Sequence, residues 1–369
     1  MKIIKVESFH TEDIGIVRVT MADGSQGLGQ VSTYNADISV EVMHRQVVPW
    51  FEGRDINDID DIADAVALVL ERQHKFLGSY LYRALCGVET ALWDWLGKSQ
   101  HKSVCELLGG TPRPLRVYAS SMKRDITPEQ EAERFLRLRD RHGYDAFKFR
   151  VGAECGRNLD EWPGRTEAII PTIRRALGTD VDLLADANSC FRPERAIEVG
   201  HLLEDNGIQH FEEPCPYWEM NWTRQVTAAL SLDVTGGEQD HYLPAWQKMI
   251  DDRVVDVLQP DICYMGGITR TLQVVEMARK AGRVVTPHTA NLSLVTIFTL
   301  HLQGAIDNAG PYLEFSIEED DYYPWQYGIY DNFPVAKDGK VAIPDEPGWG
   351  IRVRQDWLQS AHYRASELS

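Results

Sequence analysis

Four times between residues 128 and 286, a helical pattern stops at a glycine and a short apolar segment follows. Pro128–Arg141 carries Ala132, Phe135 and Leu136 on one face and stops at Gly143, ahead of Ala146–Val151. Arg165–Leu177 carries Ile169, Ile173 and Leu177 and stops at Gly178, ahead of Val181–Ala185. Ala196–Asn206 stops at Gly207 before Ile208–Phe211, and Leu272–Ala281 at Gly282 before Arg283–Thr286. Glycine just past a helix end accepts the left-handed cap that other residues resist. Strands alternating with helices in this way imply parallel βαβ units. Eight such units close into a barrel of roughly 200–250 residues, which the span from 115 to about 318 accommodates. A doubly wound open sheet is the alternative.

The segment before this grammar, Met1 to about Pro112, has another character. Strand-like Ile3–Phe9 and Ile16–Met21 lead through the turn signal Ala22-Asp23-Gly24-Ser25 to the Gly27–Val31 region. Helical patterns follow around Val40–Phe51, Ile59–Glu71 and Tyr80–Gly97. This predicts an α+β unit over 1–112, bounded by the Gly109-Gly110-Thr111-Pro112 loop.

Charged residues punctuate the C-terminal ends of the predicted strands. They are Lys148 and Arg150, then Asp186, Glu212, Glu238, Asp261, His288 and Glu314. From Asp186 onward the steps are 212 − 186 = 26, 238 − 212 = 26, 261 − 238 = 23, 288 − 261 = 27 and 314 − 288 = 26. Each step is one strand-plus-helix unit, so these residues lie at one end of successive strands, the end where barrel active sites form. Three carboxylates from adjacent strands, Asp186, Glu212 and Glu238, offer hard oxygen donors suited to Mg²⁺. Each alone could equally be a solvated helix cap; the regular spacing favours metal binding. Asp261 beside His288 would fix the imidazole tautomer and raise its basicity. Lys148 and Arg150 share one strand face. Two cations in a barrel mouth call for an anion, either a substrate carboxylate or an acidic strand end.

Composition narrows the function classes. A net charge of −18 argues against a nucleic-acid partner. The six cysteines form no C-x-x-C pair, no apolar run reaches membrane-spanning length, and the N-terminus carries no signal-peptide core. The expectation is a cytoplasmic protein with reduced cysteines and no membrane partner.

Together the strand-end series, Gly87-Val88-Glu89-Thr90-Ala91-Leu92-Trp93-Asp94 and Gly266-Gly267-Ile268-Thr269 resemble the enolase superfamily, most closely its mandelate racemase group. That resemblance implies a modified TIM barrel, (β/α)7β, over 113–319. An N-terminal α+β capping domain over 1–112 would be completed by 320–369. It implies Mg²⁺ on Asp186, Glu212 and Glu238, a base dyad of Asp261 and His288, and Lys148 on the substrate carboxylate. Glu314 would bind that carboxylate from the other side in its protonated form. Ser32–Asp37 would be the loop closing over the substrate, with Tyr34 and Asn35 as contacts, and Asn188 would lie within reach of it. Relatives are commonly homo-oligomers, so the same is expected here. The aromatic run Asp321-Tyr322-Tyr323-Pro324-Trp325 is read as packing.

One departure from the group bears on the reaction. Arg150 stands where its second catalytic lysine is usual, and arginine stays protonated in proteins. Racemisation needs a base on each face of the α-carbon, whereas dehydration can use one dyad. The expected activity is therefore Mg²⁺-dependent dehydration of a sugar acid, aldonate or aldarate, to a 2-keto-3-deoxy acid. A racemase, epimerase or cycloisomerase using the same enolate is the alternative, and a non-catalytic barrel scaffold a further one.

Overall fold

The computed structural model describes residues 1–369. Its N-terminal part opens with strands β1 (Ile3–His10), β2 (Gly15–Met21) and β3 (Gln26–Val31). Asp23-Gly24 turns the second hairpin, with Gly24 at φ 85°. Helix α1 (Ala36–Val42) runs on through a wider turn and then a tighter one to Phe51. Helices α2 (Ile59–Arg72), α3 (Ser79–Ser99) and the short α4 (Val104–Leu107) follow. From Ala84 through Gly97 every residue of α3 is buried, so it is a core helix and not a one-faced one.

The barrel strands begin at β4 (Pro114–Ser120), followed by α5 (Pro128–His142) and β5 (Ala146–Arg150). Then come α6 (Arg165–Leu177), β6 (Asp182–Asp186), α7 (Pro193–Asp205), β7 (His210–Glu212) and α8 (Met220–Ala229). They continue as β8 (Asp233–Gly236), α9 (Leu243–Asp251), β9 (Val257–Leu258), α10 (Ile262–Met265) and α11 (Ile268–Lys280). The last are β10 (Val284–Val285), α12 (Leu294–Gln303) and β11 (Leu313–Ser316). All eight strands are parallel, in the order β10-β9-β8-β7-β6-β5-β4-β11. Closure between β10 and the approach to β11 is made by Val285, whose N–H donates to Asn308 O at 2.9 Å and whose carbonyl accepts from Gly310 N–H at 2.9 Å. The architecture is thus the modified (β/α)7β barrel, and the open-sheet alternative falls away. The glycine stops hold: Gly143, Gly178, Gly207 and Gly282 all have φ between 65° and 80°.

The period of two along each strand sorts the side chains. Phe147 and Phe149, Leu183 and Ala185, and Phe211 join the large apolar cluster. The alternate residues turn inward. Tyr118, Ala146, Leu184 and Tyr312 form a small separate cluster, the floor of the barrel. Above that floor the next inward positions are Ser120, Lys148, Asp186, Glu212 and Glu314.

The tail returns to the start of the chain. It comprises β12 (Lys340–Ala342), α13 (Gln355–Ser360) and β13 (His362–Glu367). β12 pairs antiparallel with β4, and β13 pairs antiparallel with β1, giving a four-stranded sheet β13-β1-β2-β3. Buried His44 ties this tail down, meeting Ser8 Oγ at 2.9 Å and Ser366 Oγ at 2.8 Å.

The two sequence motifs outside the strand-end series meet each other. Glu89 on α3 is fully buried and accepts from Ile268 N–H (3.0 Å), Thr269 N–H (2.7 Å), Thr269 Oγ1 (2.7 Å) and Trp93 Nε1 (2.8 Å). A carboxylate thereby satisfies the open donors at the start of α11. Gly267 makes this possible: it sits at φ 120°, and a Cβ there would lie 2.1 Å from Glu89 Oε2. No helix is long and apolar enough to cross a membrane.

Candidate active site

The strand-end residues converge at the C-terminal mouth of the barrel. Backbone register places Arg150 opposite Asp186 and Asp186 opposite Glu212. Glu238 lies two residues beyond the end of β8, while Asp261 and His288 each lie three beyond paired Leu258 and Val285. All are buried. Lys148 stands at the centre of one half: its Nζ lies 2.8 Å from Glu212 Oε1, 2.7 Å from Glu314 Oε1 and 3.3 Å from Asp186 Oδ2. The Tyr118 ring lies beneath it at 5.5 Å. Arg150 pairs with Asp186 and donates from Nε to Ser121 O at 3.0 Å.

His288 forms the other half. Its Nδ1 is 2.9 Å from Asp261 Oδ2, and its Nε2 faces Glu238 Oε2 at 3.3 Å and Glu314 Oε2 at 4.0 Å. Asp261 also accepts from Tyr264 N–H at 2.9 Å, which fixes the carboxylate that orients the ring. Burial alone would push His288 down, but Glu238, the Asp261 hydrogen bond and Glu314 raise it to about 10. This arrangement favours the doubly protonated imidazole.

Glu314 departs from what the resemblance implies. Burial would favour its neutral form, yet Lys148 and His288 hold it down to about 2. It accepts from Ser120 Oγ at 2.7 Å and from Thr289 N–H at 2.9 Å besides Lys148. In this arrangement its neighbours favour the carboxylate form, because the cationic ones are turned toward it.

Six carboxylates, Asp186, Glu212, Glu213, Glu238, Asp261 and Glu314, thus crowd a mouth whose bonded permanent cations are Lys148 and Arg150. The surplus raises the proton affinity of its members. Burial and then Asp186 push Glu212 up to about 8. Glu213 is raised well above the ordinary carboxylate range by burial, then by Glu238 and Asp186. One Glu213 oxygen, Oε1, is buried without a partner. Oxygen donors with excess negative charge fit a hard divalent cation. No three acidic, histidine or cysteine side chains converge on one point at metal distance as they stand; Lys148 and Arg150 occupy the faces of Asp186 and Glu212 instead.

The remaining predicted contacts divide. Asn188, at φ 46°, turns its amide toward Glu213 Oε2 at 3.5 Å, and its N–H donates to Asp186 Oδ1 at 2.7 Å. Tyr34, at φ 61°, places its ring 5.9 Å from Trp325 and 6.4 Å from Tyr323. The aromatic run therefore packs, as read, and it packs on the loop over the mouth. Asn35 is exposed, begins α1 at φ 50° and makes no side-chain cap bond.

Sequence reasoning missed four groups. Glu213 adjoins Glu212 and could have been flagged as an acidic pair at a strand end. Tyr264 lies with its ring 6.2 Å from that of His288, and the Arg83 guanidinium lies 3.5 Å over the Tyr264 ring. Arg83 also donates to Ser32 Oγ at 2.7 Å, linking α3 to the loop that carries Tyr34. Arg124 follows β4, with Nε and Nη2 buried and unpartnered. No periodicity marks these last three.

Comparison with known proteins agrees with this geometry. Residues 2–109 match the mandelate racemase/muconate lactonizing enzyme N-terminal domain, and residues 130–357 the enolase C-terminal domain-like family. Arabinonate dehydratase of Saccharolobus solfataricus is 27% identical over 356 residues, covering 95% of this chain and 91% of its own. A solved protein from Roseobacter denitrificans, provisionally described as a racemase, is 63% identical with a TM-score of 0.97 and full coverage of both chains. A mandelate racemase/muconate lactonizing protein from Paracoccus denitrificans, solved with magnesium, is 27% identical with a TM-score of 0.87, covering 100% and 99%. With two matched domains spanning nearly its whole length, the chain belongs to the enolase superfamily, in its mandelate racemase group.

Proposed function

We propose that this chain is a magnesium-dependent hydro-lyase that dehydrates a sugar acid, and that Asp186, Glu212 and Glu238 hold the cation. The observation that carries the reading is the His288–Asp261 dyad, whose free Nε2 faces a surplus of buried carboxylates balanced in part by Lys148. A named dehydratase among the relatives and a magnesium-bound structural neighbour support it.

When bound, the cation supplies electrophilic stabilisation of the substrate carboxylate and compensates the charge of its three ligands. Asp186, Glu212 and Glu238 would hold it, and with Asp186 and Glu212 so engaged the Lys148 ammonium would be available to a substrate carboxylate oxygen. With Lys148 so engaged, Glu314 loses its strongest anionic support and can take up a proton to donate to the same carboxylate. With Glu238 engaged, His288 loses the neighbour that most favours its second proton. Neutral Nε2 removes the α-proton, and Asp261 steadies the imidazolium that forms. The resulting enediolate expels the β-hydroxyl, which takes a proton from that imidazolium and leaves as water. The enol then tautomerises to the 2-keto-3-deoxy acid. Arg150 is permanently charged and supplies no second base.

Racemisation or epimerisation is the second reading, favoured by the provisional description of the Roseobacter denitrificans protein. Product analysis separates the two, since only dehydration yields a keto acid. A panel of aldonates and aldarates with Mg²⁺ tests the reading directly. His288→Asn should lower keto-acid formation by about 10²–10⁴-fold while Mg²⁺ and substrate still bind. Wild-type rates in that variant would remove the dyad from the mechanism.

A further inference from the structure

Arg124 lies in the loop between β4 and α5, at the rim of the mouth. It takes part in no ion pair, although thirty are present in the molecule. Its Nε and Nη2 are buried and have no hydrogen-bond partner. A guanidinium carries five donors that demand acceptors, and an unpaired buried one is costly.

None of the groups around it bonds to those donors. Arg150 and Asp186 are its nearest charged neighbours in effect, followed by Glu154 and Tyr322. Asp186 is engaged by Arg150 and Lys148. Lys123, next in the chain, is engaged by Asp321. Arg124 and Arg150 therefore repel each other across the rim, and burial with that repulsion lowers the Arg124 affinity for its proton.

The loop is held in place all the same. Met122 N–H donates to buried Glu318 Oε1 at 2.7 Å, and Arg134 Nη2 holds the other Glu318 oxygen at 3.0 Å. The Arg150 Nε bond to Ser121 O anchors its start. An anchored loop that carries a guanidinium with open donors suits an anion from outside.

We propose that Arg124 receives the second carboxylate of a dicarboxylic sugar acid, so that the substrate is an aldarate held by Lys148 at the reacting end and Arg124 at the other. This rests on the dehydratase reading above. A terminal hydroxymethyl group would accept one hydrogen bond and leave the charge unpaired; a carboxylate meets the fork with two bonds and opposite charge. Because Arg124 acts on the far end, it sets which substrate is bound and takes no part in proton transfer.

The test compares aldarates with aldonates of matching chain length and configuration, with Mg²⁺, in wild type, Arg124→Gln and Arg124→Lys. Wild type should prefer the aldarate of its best pair. Arg124→Gln should lower the aldarate-to-aldonate ratio of kcat/KM by at least about 30-fold. Arg124→Lys, which keeps the charge without the fork, should lower it less. Wild-type preference for the aldonate, or a ratio unmoved in both variants, would overturn the assignment of Arg124 and leave the dehydratase reading standing. Absence of keto acid from every member with wild type would overturn both.

Discussion

Glu89 and Glu213 are both buried glutamates, and their surroundings differ in kind. Glu89, between α3 and α11, has four donors on its two oxygens. Glu213, at the barrel mouth, sits at φ 38° among carboxylates, with Oε1 unpartnered and only distant contacts to Asn188 and Ser189. At Glu89, where the capping unit meets the barrel, charge joins elements and both oxygens are met. At the mouth, charge is left in surplus and polar groups stay open, as Arg124 also does. Of these two glutamates, the one left with an open valence is the one placed where chemistry would use it.

Stability measurements can break this contrast. The largest expected effect is at the interface: Glu89→Ala strands the donors at the start of α11 and should cost about 2–4 kcal/mol, read by urea unfolding. A cost below roughly 0.5 kcal/mol would show that the satisfied carboxylate holds nothing together.

A pH series sharpens the same side. His301 on α12 is fully buried, accepts from Cys105 N–H at Nδ1 (2.9 Å) and meets Trp349 O at Nε2 (3.3 Å). Burial lowers it to about 3, against an unfolded value near 6.5. Its folded value is the depressed one, so its contribution is complete above about pH 6.5 and is lost as pH falls toward 3. The loss is on the order of a few kcal/mol, and His301→Gln should flatten that part of the stability profile. An unchanged slope between about pH 6.5 and 4.5 would contradict it.

The smallest effect is expected at the mouth. With a chelator present, Glu213→Gln replaces an incompletely bonded buried carboxyl group and should change stability by no more than about 1 kcal/mol, in the stabilising direction. A loss matching that of Glu89→Ala would erase the contrast.

The barrel was legible because its signals are local and periodic. α6 occupies Arg165–Leu177 as its pattern and glycine stop indicate; unit length delivers Asp186, Glu212 and Glu314, and Lys148 follows from its place near the end of β5. The β9 and β10 ladders are only two residues long; Arg283–Thr286 marks β10 through its glycine stop, whereas β9 shows only through Asp261 after it. The contact of Glu89 with Gly267 was not legible, since both motifs were visible but nothing in either names the other. Arg124, Arg83 and Tyr264 lie outside the repeating positions, and their places depend on how loops fold over the mouth. The ionised state of Glu314 depends likewise on where Lys148 points, which spacing does not record.

Surplus carboxylates at the mouth, opposite His288, are proposed to form a divalent cation site. Calorimetric titration of the protein with Mg²⁺ near neutral pH tests it most directly, with Glu212→Gln alongside. One saturable site per chain, abolished or severely weakened in Glu212→Gln, is the predicted result. Wild-type protein that takes up no Mg²⁺, or a variant that binds it equally well, would contradict the account.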